Sequence, residues 1–249
     1  MLHTVIRSIF VMAGTVAIAM TGSIATGSAA ISTSPAVTAI EPGTGDVVGV
    51  AQPLTVRFAA PVPNRSAAER SLRITSPATP AGEFTWLSDS VMEWTPSAFW
   101  PAHSPISVSA GDLATEFRTG AAVVSVADVD AHTFTVSIDD QVVREMPASM
   151  GKPKFPTPVG TFRVLGKESV VVMDSRTIGI PLDDPEGYKL TVYDAVRITW
   201  GGVYVHGAPW STGSQGYANV SHGCINLSPD NADWYFNTVG MGDPVIVQS

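Results

Sequence analysis

Alternation is the clearest pattern in the chain. In PLTVRF, residues 53–58, Leu54, Val56 and Phe58 alternate with Thr55 and Arg57, which puts three apolar side chains on one face of a strand. The pattern returns in Leu72 with Ile74, Phe84 with Trp86, Met92 with Trp94, and Ile106 with Val108, between turns rich in Pro, Gly and Ser. Short strands at this spacing predict an immunoglobulin-like β-sandwich over residues 35–120, of a kind without a disulfide. The stretch EFRTGAAVV, residues 116–124, changes character and marks the boundary. Beyond it come HTFTVSI (132–138), an Asp139-Asp140 turn, and further strand-like runs at 142–146, 160–165, 170–173 and 244–247. One helix is predicted in SPDNADWYF, where Ser228 caps, Pro229 suits the first helical position and Asp230 favours the positive end. Residues 121–249 therefore read as a mainly β domain with one or two helices packed on it.

The first thirty residues follow a different rule. Arg7 precedes an unbroken apolar run, Ile9 to Met20, and small residues follow through Ala29 and Ala30. This predicts a secretory signal peptide over residues 1–30. The run is shorter than the roughly twenty residues a spanning helix needs, so no stable membrane span is expected after cleavage. No cysteine near the cleavage site invites lipid modification. Arg7 is one of 14 Lys+Arg, so 13 remain in the mature chain against 22 Asp+Glu, a formal charge of −9. So acidic a protein is a poor partner for a nucleic-acid backbone. The expected location is outside the cytoplasmic membrane, which the resemblance described below narrows to the cell wall or periplasmic space.

Export sharpens the question posed by VSHGCINL, residues 220–227, which holds the only cysteine. A lone exported thiol is inert and buried, used between chains, or chemically employed. Two histidines accompany it. In GGVYVHG, residues 201–207, strand alternation puts Tyr204 and His206 on one face and the valines on the other. In SHGC, an extended chain puts His222 and Cys224 on a common face as well. An imidazole touching a thiol stabilises the thiolate, a nucleophile for acyl transfer. The same three residues also make a two-histidine, one-cysteine zinc set with an open position. Three readings stay open on residues alone: a cysteine nucleophile for acyl transfer, a zinc site, and an inert thiol; with the resemblance described next, the last two become a zinc-dependent cell-wall peptidase and a non-catalytic wall-binding protein. Residues 35–120 gather no catalytic residue types, with His103 expected on a loop, and read as a spacer or positioning module.

The longer stretch HGAPWSTGSQGYANVSHGCINLSPDNADWYF, residues 206–236, resembles the signature of the L,D-transpeptidases, the YkuD-type catalytic domain. The resemblance extends upstream through MPASMGKPKFPTPVGTF and VVMDSRTIGIP. A signal peptide, one immunoglobulin-like domain and a β-rich catalytic domain is the arrangement of the shorter mycobacterial and related actinobacterial enzymes. The resemblance implies attack on the peptidoglycan stem tetrapeptide between meso-diaminopimelate and the terminal D-alanine, then transfer to the side-chain amine of a second diaminopimelate as a 3→3 cross-link. It implies Cys224 as nucleophile, His206 as general base and His222 as a catalytic neighbour that shapes the site. It further implies an oxyanion hole from the backbone N–H groups of His222, Gly223 and Cys224. Substrate contacts would come from Tyr188, Gly201, Gly202 and Asn226. Met173 and Ser175 would lie in a flap drawn from residues 166–193, and Trp210 on the rim. No cofactor or metal is implied, and carbapenem-type β-lactams are the expected covalent inhibitors. Gly207 stands where family members often carry serine, so only a backbone carbonyl there is left to orient the base.

Overall fold

Alternation becomes burial in the computed structural model, which describes residues 35–249. The signal peptide expected over residues 1–30 lies outside them. Leu54, Val56 and Phe58 are buried on one face of their strand, as are Met92, Trp94, Ile106 and Val108 on theirs. The strands of the amino-terminal half are β1 (Val37–Glu41), β2 (Val47–Val48), β3 (Leu54–Phe58), β4 (Arg73–Thr75), β5 (Gly82–Ser88), β6 (Val91–Pro96), β7 (Pro105–Ala110) and β8 (Leu113–Thr119). They form two four-stranded sheets, ordered β1-β3-β6-β5 and β2-β8-β7-β4. Between the sheets lies one apolar cluster that includes Ile40, Leu54, Met92, Trp100, Ile106 and Phe117. This is the immunoglobulin-like sandwich. It also holds a helix the strand pattern did not foresee, α1 (Arg65–Ser71), capped by Asn64 Oδ1 accepting from Ala67 N–H. A seven-residue helix is too short to show a full amphipathic period, so only its cap was there to be read.

The carboxy-terminal half continues with β9 (Val123–Asp128), β10 (Thr133–Ile138), β11 (Gln141–Pro147), β12 (Gly160–Arg163), β13 (Gly166–Asp174), β14 (Lys189–Arg197), β15 (Tyr204–Gly207), β16 (Ile225–Leu227), α2 (Pro229–Thr238) and β17 (Pro244–Gln248). β11-β10-β9-β17-β12 form a five-stranded sheet, and β13-β14-β15-β16 a four-stranded one. At the β10–β11 hairpin Asp139 and Asp140 both have positive φ, the geometry of a tight two-residue turn. α2 starts as expected: Ser228 Oγ accepts from Asn231 N–H and Pro229 occupies the first turn. The core cluster of this half includes Tyr235 from α2, whose ring meets Phe134 edge-on at 4.9 Å, with Met146, Val205, Ile225, Leu227 and Val245 from the sheets. No helix among the described residues is long and apolar enough to cross a membrane.

Direct contacts tie the two halves together. Gly49 N–H donates to Met241 C=O at 2.8 Å and Ala51 N–H to Gly242 C=O at 2.9 Å. Arg163 pairs with Glu93 at 3.4 Å, and His103, exposed on its loop, pairs with Asp139 at 2.9 Å. Gly49 has no room for a side chain: a Cβ there would stand 2.1 Å from Asp243 N and 2.2 Å from Gly242 C.

Candidate active site

Parallel pairing of β15 with β16 sets Val205 opposite Ile225 and His206 opposite Asn226, so the residues just before β16 lie beside His206. The segment from Ser221 to Cys224 is a turn, with Gly223 at φ +117, a torsion open to glycine. Ser221 Oγ closes the turn, donating to Cys224 C=O at 2.6 Å and accepting from Gly223 N–H at 3.0 Å. Thr157 braces it from below, with Oγ1 donating to Gly223 C=O at 2.9 Å and accepting from Gly151 N–H at 2.9 Å. His222 turns outward between Phe155 and Tyr188, with ring centroids 4.9 and 4.8 Å away. Cys224 is partly exposed, its Sγ 3.7 Å from Gly202 C=O.

His206 is buried and its Nδ1 lies 2.9 Å from Gly207 C=O. A carbonyl only accepts, so Nδ1 carries the proton and Nε2 is left with a free lone pair. Gly207 thus orients the imidazole through its backbone. Burial holds the imidazolium form down, against a smaller opposing effect of the Gly207 carbonyl. Burial also pushes the Cys224 thiol up to about 11, and the Tyr204 N–H offsets this only in part. Both shifts favour the neutral forms. Contact with an imidazole favours the thiolate, and loss of solvation around the sulfur works against it.

Two cavities open onto Cys224. One, of about 240 Å³, is lined by His206, Trp210, Val220 and Asn226; the other, of about 380 Å³, by Asp174, Trp200, Gly201 and Gly202. Met173, Tyr188, His222 and Cys224 line both. The roof between them is the segment connecting β13 to β14. Its centre is Ser175, fully buried, whose Oγ donates to Ile180 C=O and accepts from Tyr188 N–H. Ser175 therefore holds the flap together from within and does not face the cavities, whereas Met173 does. Tyr188, Gly201 and Gly202 reach cavity walls, and Asn226 reaches one while remaining nearly buried, its Nδ2 donating to Ser211 Oγ. Of the three N–H groups expected in an oxyanion hole, that of Gly223 is engaged by Ser221 Oγ and is withdrawn from the set. Trp210 is half exposed at the rim, 6.1 Å from the His206 ring.

Among the described residues, His206, His222 and Cys224 do not assemble into a group able to hold a metal ion. His222 Nε2 is turned instead onto Glu186 Oε2, 3.0 Å away. Glu186 is the residue sequence reasoning passed over: it sits in the polar DDPEG turn of the flap, 36 positions from its histidine partner. Only pairing across the fold gives it meaning, and no local pattern carries that.

Residues 122–247 match the model of the YkuD L,D-transpeptidase catalytic domain, and residues 11–113 that of a bacterial Ig domain. L,D-transpeptidase 1 of Mycobacterium tuberculosis is 56% identical over 213 residues, covering 86% of this chain and 85% of that protein. Probable L,D-transpeptidase 3 of the same organism is 50% identical over 236 residues, covering 86% of each. An L,D-transpeptidase from Mycobacterium smegmatis superposes with a TM-score of 0.83 at 71% identity, over 86% of this chain and 98% of that one. The complex of the M. tuberculosis enzyme LdtMt1 with imipenem superposes with a TM-score of 0.82 at 56% identity, over 86% and 99%. With its catalytic half and its immunoglobulin-like half both matched, the chain belongs to the L,D-transpeptidase family of enzymes.

Proposed function

We propose that the protein is an exported peptidoglycan L,D-transpeptidase that releases D-alanine from a tetrapeptide donor and forms 3→3 cross-links through a thioester on Cys224. The observation that carries this reading is the single sulfur reached from two cavities beneath one flap. A transfer enzyme must hold an acylated donor while an amine acceptor arrives, and two openings onto one nucleophile provide for both.

In this reading the donor carbonyl of diaminopimelate meets Cys224 Sγ, and His206 Nε2 takes the thiol proton as the S–C bond forms. The carbonyl oxygen becomes an oxyanion facing the backbone N–H groups of His222 and Cys224. Its collapse breaks the C–N bond to D-alanine, whose amine takes the proton from His206. The side-chain amine of a second diaminopimelate then attacks the thioester, gives a proton to His206 and displaces the sulfur, which is reprotonated. Tyr188, Gly201, Gly202 and Asn226 line the paths of the two peptides. Residues 35–120 form the positioning module, residues 121–249 the catalytic domain, and residues 1–30 the export signal. Incubation of the purified protein with a disaccharide-tetrapeptide should yield free D-alanine and a 3→3 dimer by mass spectrometry. Absence of both, with a folded protein, would refute the assignment. Imipenem, bound by the relative LdtMt1, should add covalently at Cys224 and leave Cys224→Ala unmodified.

A further inference from the structure

Three segments distant in sequence meet at one carboxylate. Glu186 projects from the flap, where Asp184 Oδ1 accepts from its N–H at 2.8 Å and Gly187 N–H donates to Asp184 C=O at 2.7 Å. Its Oε2 accepts from Lys152 and from His222 Nε2, and its Oε1 lies 3.9 Å from Lys154 Nζ. Lys152 and Lys154 belong to the loop between β11 and β12, the same loop that braces the nucleophile's turn through Thr157. His222 is thereby held on all sides: by Phe155 from the lysine loop, by Tyr188 from the flap, and by Glu186 at its ring nitrogen.

We propose that Glu186 is a positioning residue of the transfer reaction, fixing the His222 ring and through it the register between the flap and the turn that carries Cys224. The proposal rests on the function assigned above. It follows from what the carboxylate fixes. An anion accepts only, so Nε2 of His222 bears a proton and the ring cannot flip without losing that bond. With the ring set, Tyr188 packs on it, and Tyr188 immediately precedes β14, the strand that returns from the flap. Tyr188 N–H is in turn held by Ser175 Oγ at the flap's centre, so the chain of contacts runs unbroken from the nucleophile's turn to the roof of both cavities. The charged and titratable groups around the carboxylate are Lys152 and Lys154 from the loop, Asp184 and Tyr188 from the flap, and His222 with Cys224 from the turn. The hydrogen bond from Lys152 first, and that from His222, hold the Glu186 carboxyl below the usual carboxylate range. It is therefore an anion whenever the enzyme works. Glu186 touches no reacting atom; it acts by keeping His222 and the flap where the acyl group must pass.

The test uses the full mature chain and imipenem as probe, in a double-mutant cycle of Glu186→Ala with His222→Asn, plus Glu186→Gln. Glu186→Ala should slow acylation about tenfold, the order expected when a site is loosened without losing a reacting group. In the His222→Asn background it should do nothing further, since the residue it positions is gone. Glu186→Gln keeps an acceptor for His222 Nε2 and should stay within about threefold of wild type. Amide exchange at Ile180 and Tyr188, whose N–H groups are held by Ser175, should quicken in Glu186→Ala and not in Glu186→Gln. Equal losses in both backgrounds, or unchanged acylation with unchanged exchange, would overturn the proposal. Failure of wild type to acylate at Cys224 would instead refute the function assigned above, and the exchange comparison would still decide the role of Glu186.

Discussion

Neutral thiol and neutral imidazole at rest make a sharp kinetic prediction for His206→Gln, a change that keeps most of the side-chain volume and removes the basic nitrogen. With the Cys224 thiol pushed up to about 11, only about one sulfur in 3,000 is ionised at pH 7.5 without help. In the proposed mechanism His206 removes the proton as attack occurs. Because burial lowers its basicity, it is already in the unprotonated form across neutral pH, and acylation should be nearly level from pH 7 upward. The variant must wait for spontaneous thiolate, so its rate should climb about tenfold per pH unit until the thiol titrates. A general base contributes about 10² to 10⁴, which sets the loss at pH 7.5. By pH 10 the variant gains about 300-fold, so a gap of 10⁴ should narrow by about that amount and a gap of 10² should close. Stopped-flow imipenem acylation from pH 6 to 10, with thiolate absorbance at 240 nm followed in parallel, measures both quantities. A loss of equal size at pH 7.5 and pH 10 would show that His206 supports structure and not proton transfer. A thiolate signal in the resting wild type at pH 7.5 would refute the neutral-pair mechanism itself.

Two further predictions concern the junction of the halves. Asp243 is buried and its carboxyl is raised from 3.8 to about 6, chiefly by desolvation, with its Oδ2 accepting from Gly240 N–H. The folded state thus holds the proton more tightly than the unfolded chain: the stability associated with it is complete below about pH 4 and lost as pH rises to about 6, to the extent of ~3 kcal/mol. Asp243→Asn keeps the acceptor and should melt several degrees above wild type at pH 7.5 but level with it at pH 4; equal melting at both pH values would refute the burial argument. Gly49→Val drives a side chain into the backbone of Gly242 and Asp243, and should cost ~3 kcal/mol or more by thermal melting; an unchanged melting temperature would show that the halves tolerate separation there.

What was legible in the sequence follows the range over which each interaction acts. Strand alternation and helix capping are local, so PLTVRF and SPDNADWYF announce β3 and α2 directly, down to the Ser228 cap. The placement of His206 and the lone cysteine on one cavity was legible for a different reason: His206 lies on β15, and β16, its neighbour, starts immediately after Cys224, so strand pairing brings both to one wall. What was not legible is set by burial and by bends. No residue type near Cys224 signals that its thiol is pushed up rather than down, because the cause is the enclosure of the sulfur by elements spread over some 50 residues. The closure of the turn at Gly223 hid in the same way, since nothing in SHGC as a string marks Ser221 and Thr157 as the residues that brace it.

The flap gives the strongest case. Its apolar half, VVVM, reads as a strand and is one, while its polar half, DDPEG, reads as a surface turn with no task. Yet the polar half sets the geometry of the site. Gly187 is required there because a Cβ would stand 2.4 Å from Pro181 C=O, and the tight turn this permits is what carries Glu186 inward to His222. Exposed ion pairs contribute little to stability on their own. A carboxylate that binds Lys152 and His222 at once is better understood as fixing position: its contribution is to the orientation of one imidazole and one loop, and it should be visible in acylation kinetics long before it is visible in a melting curve.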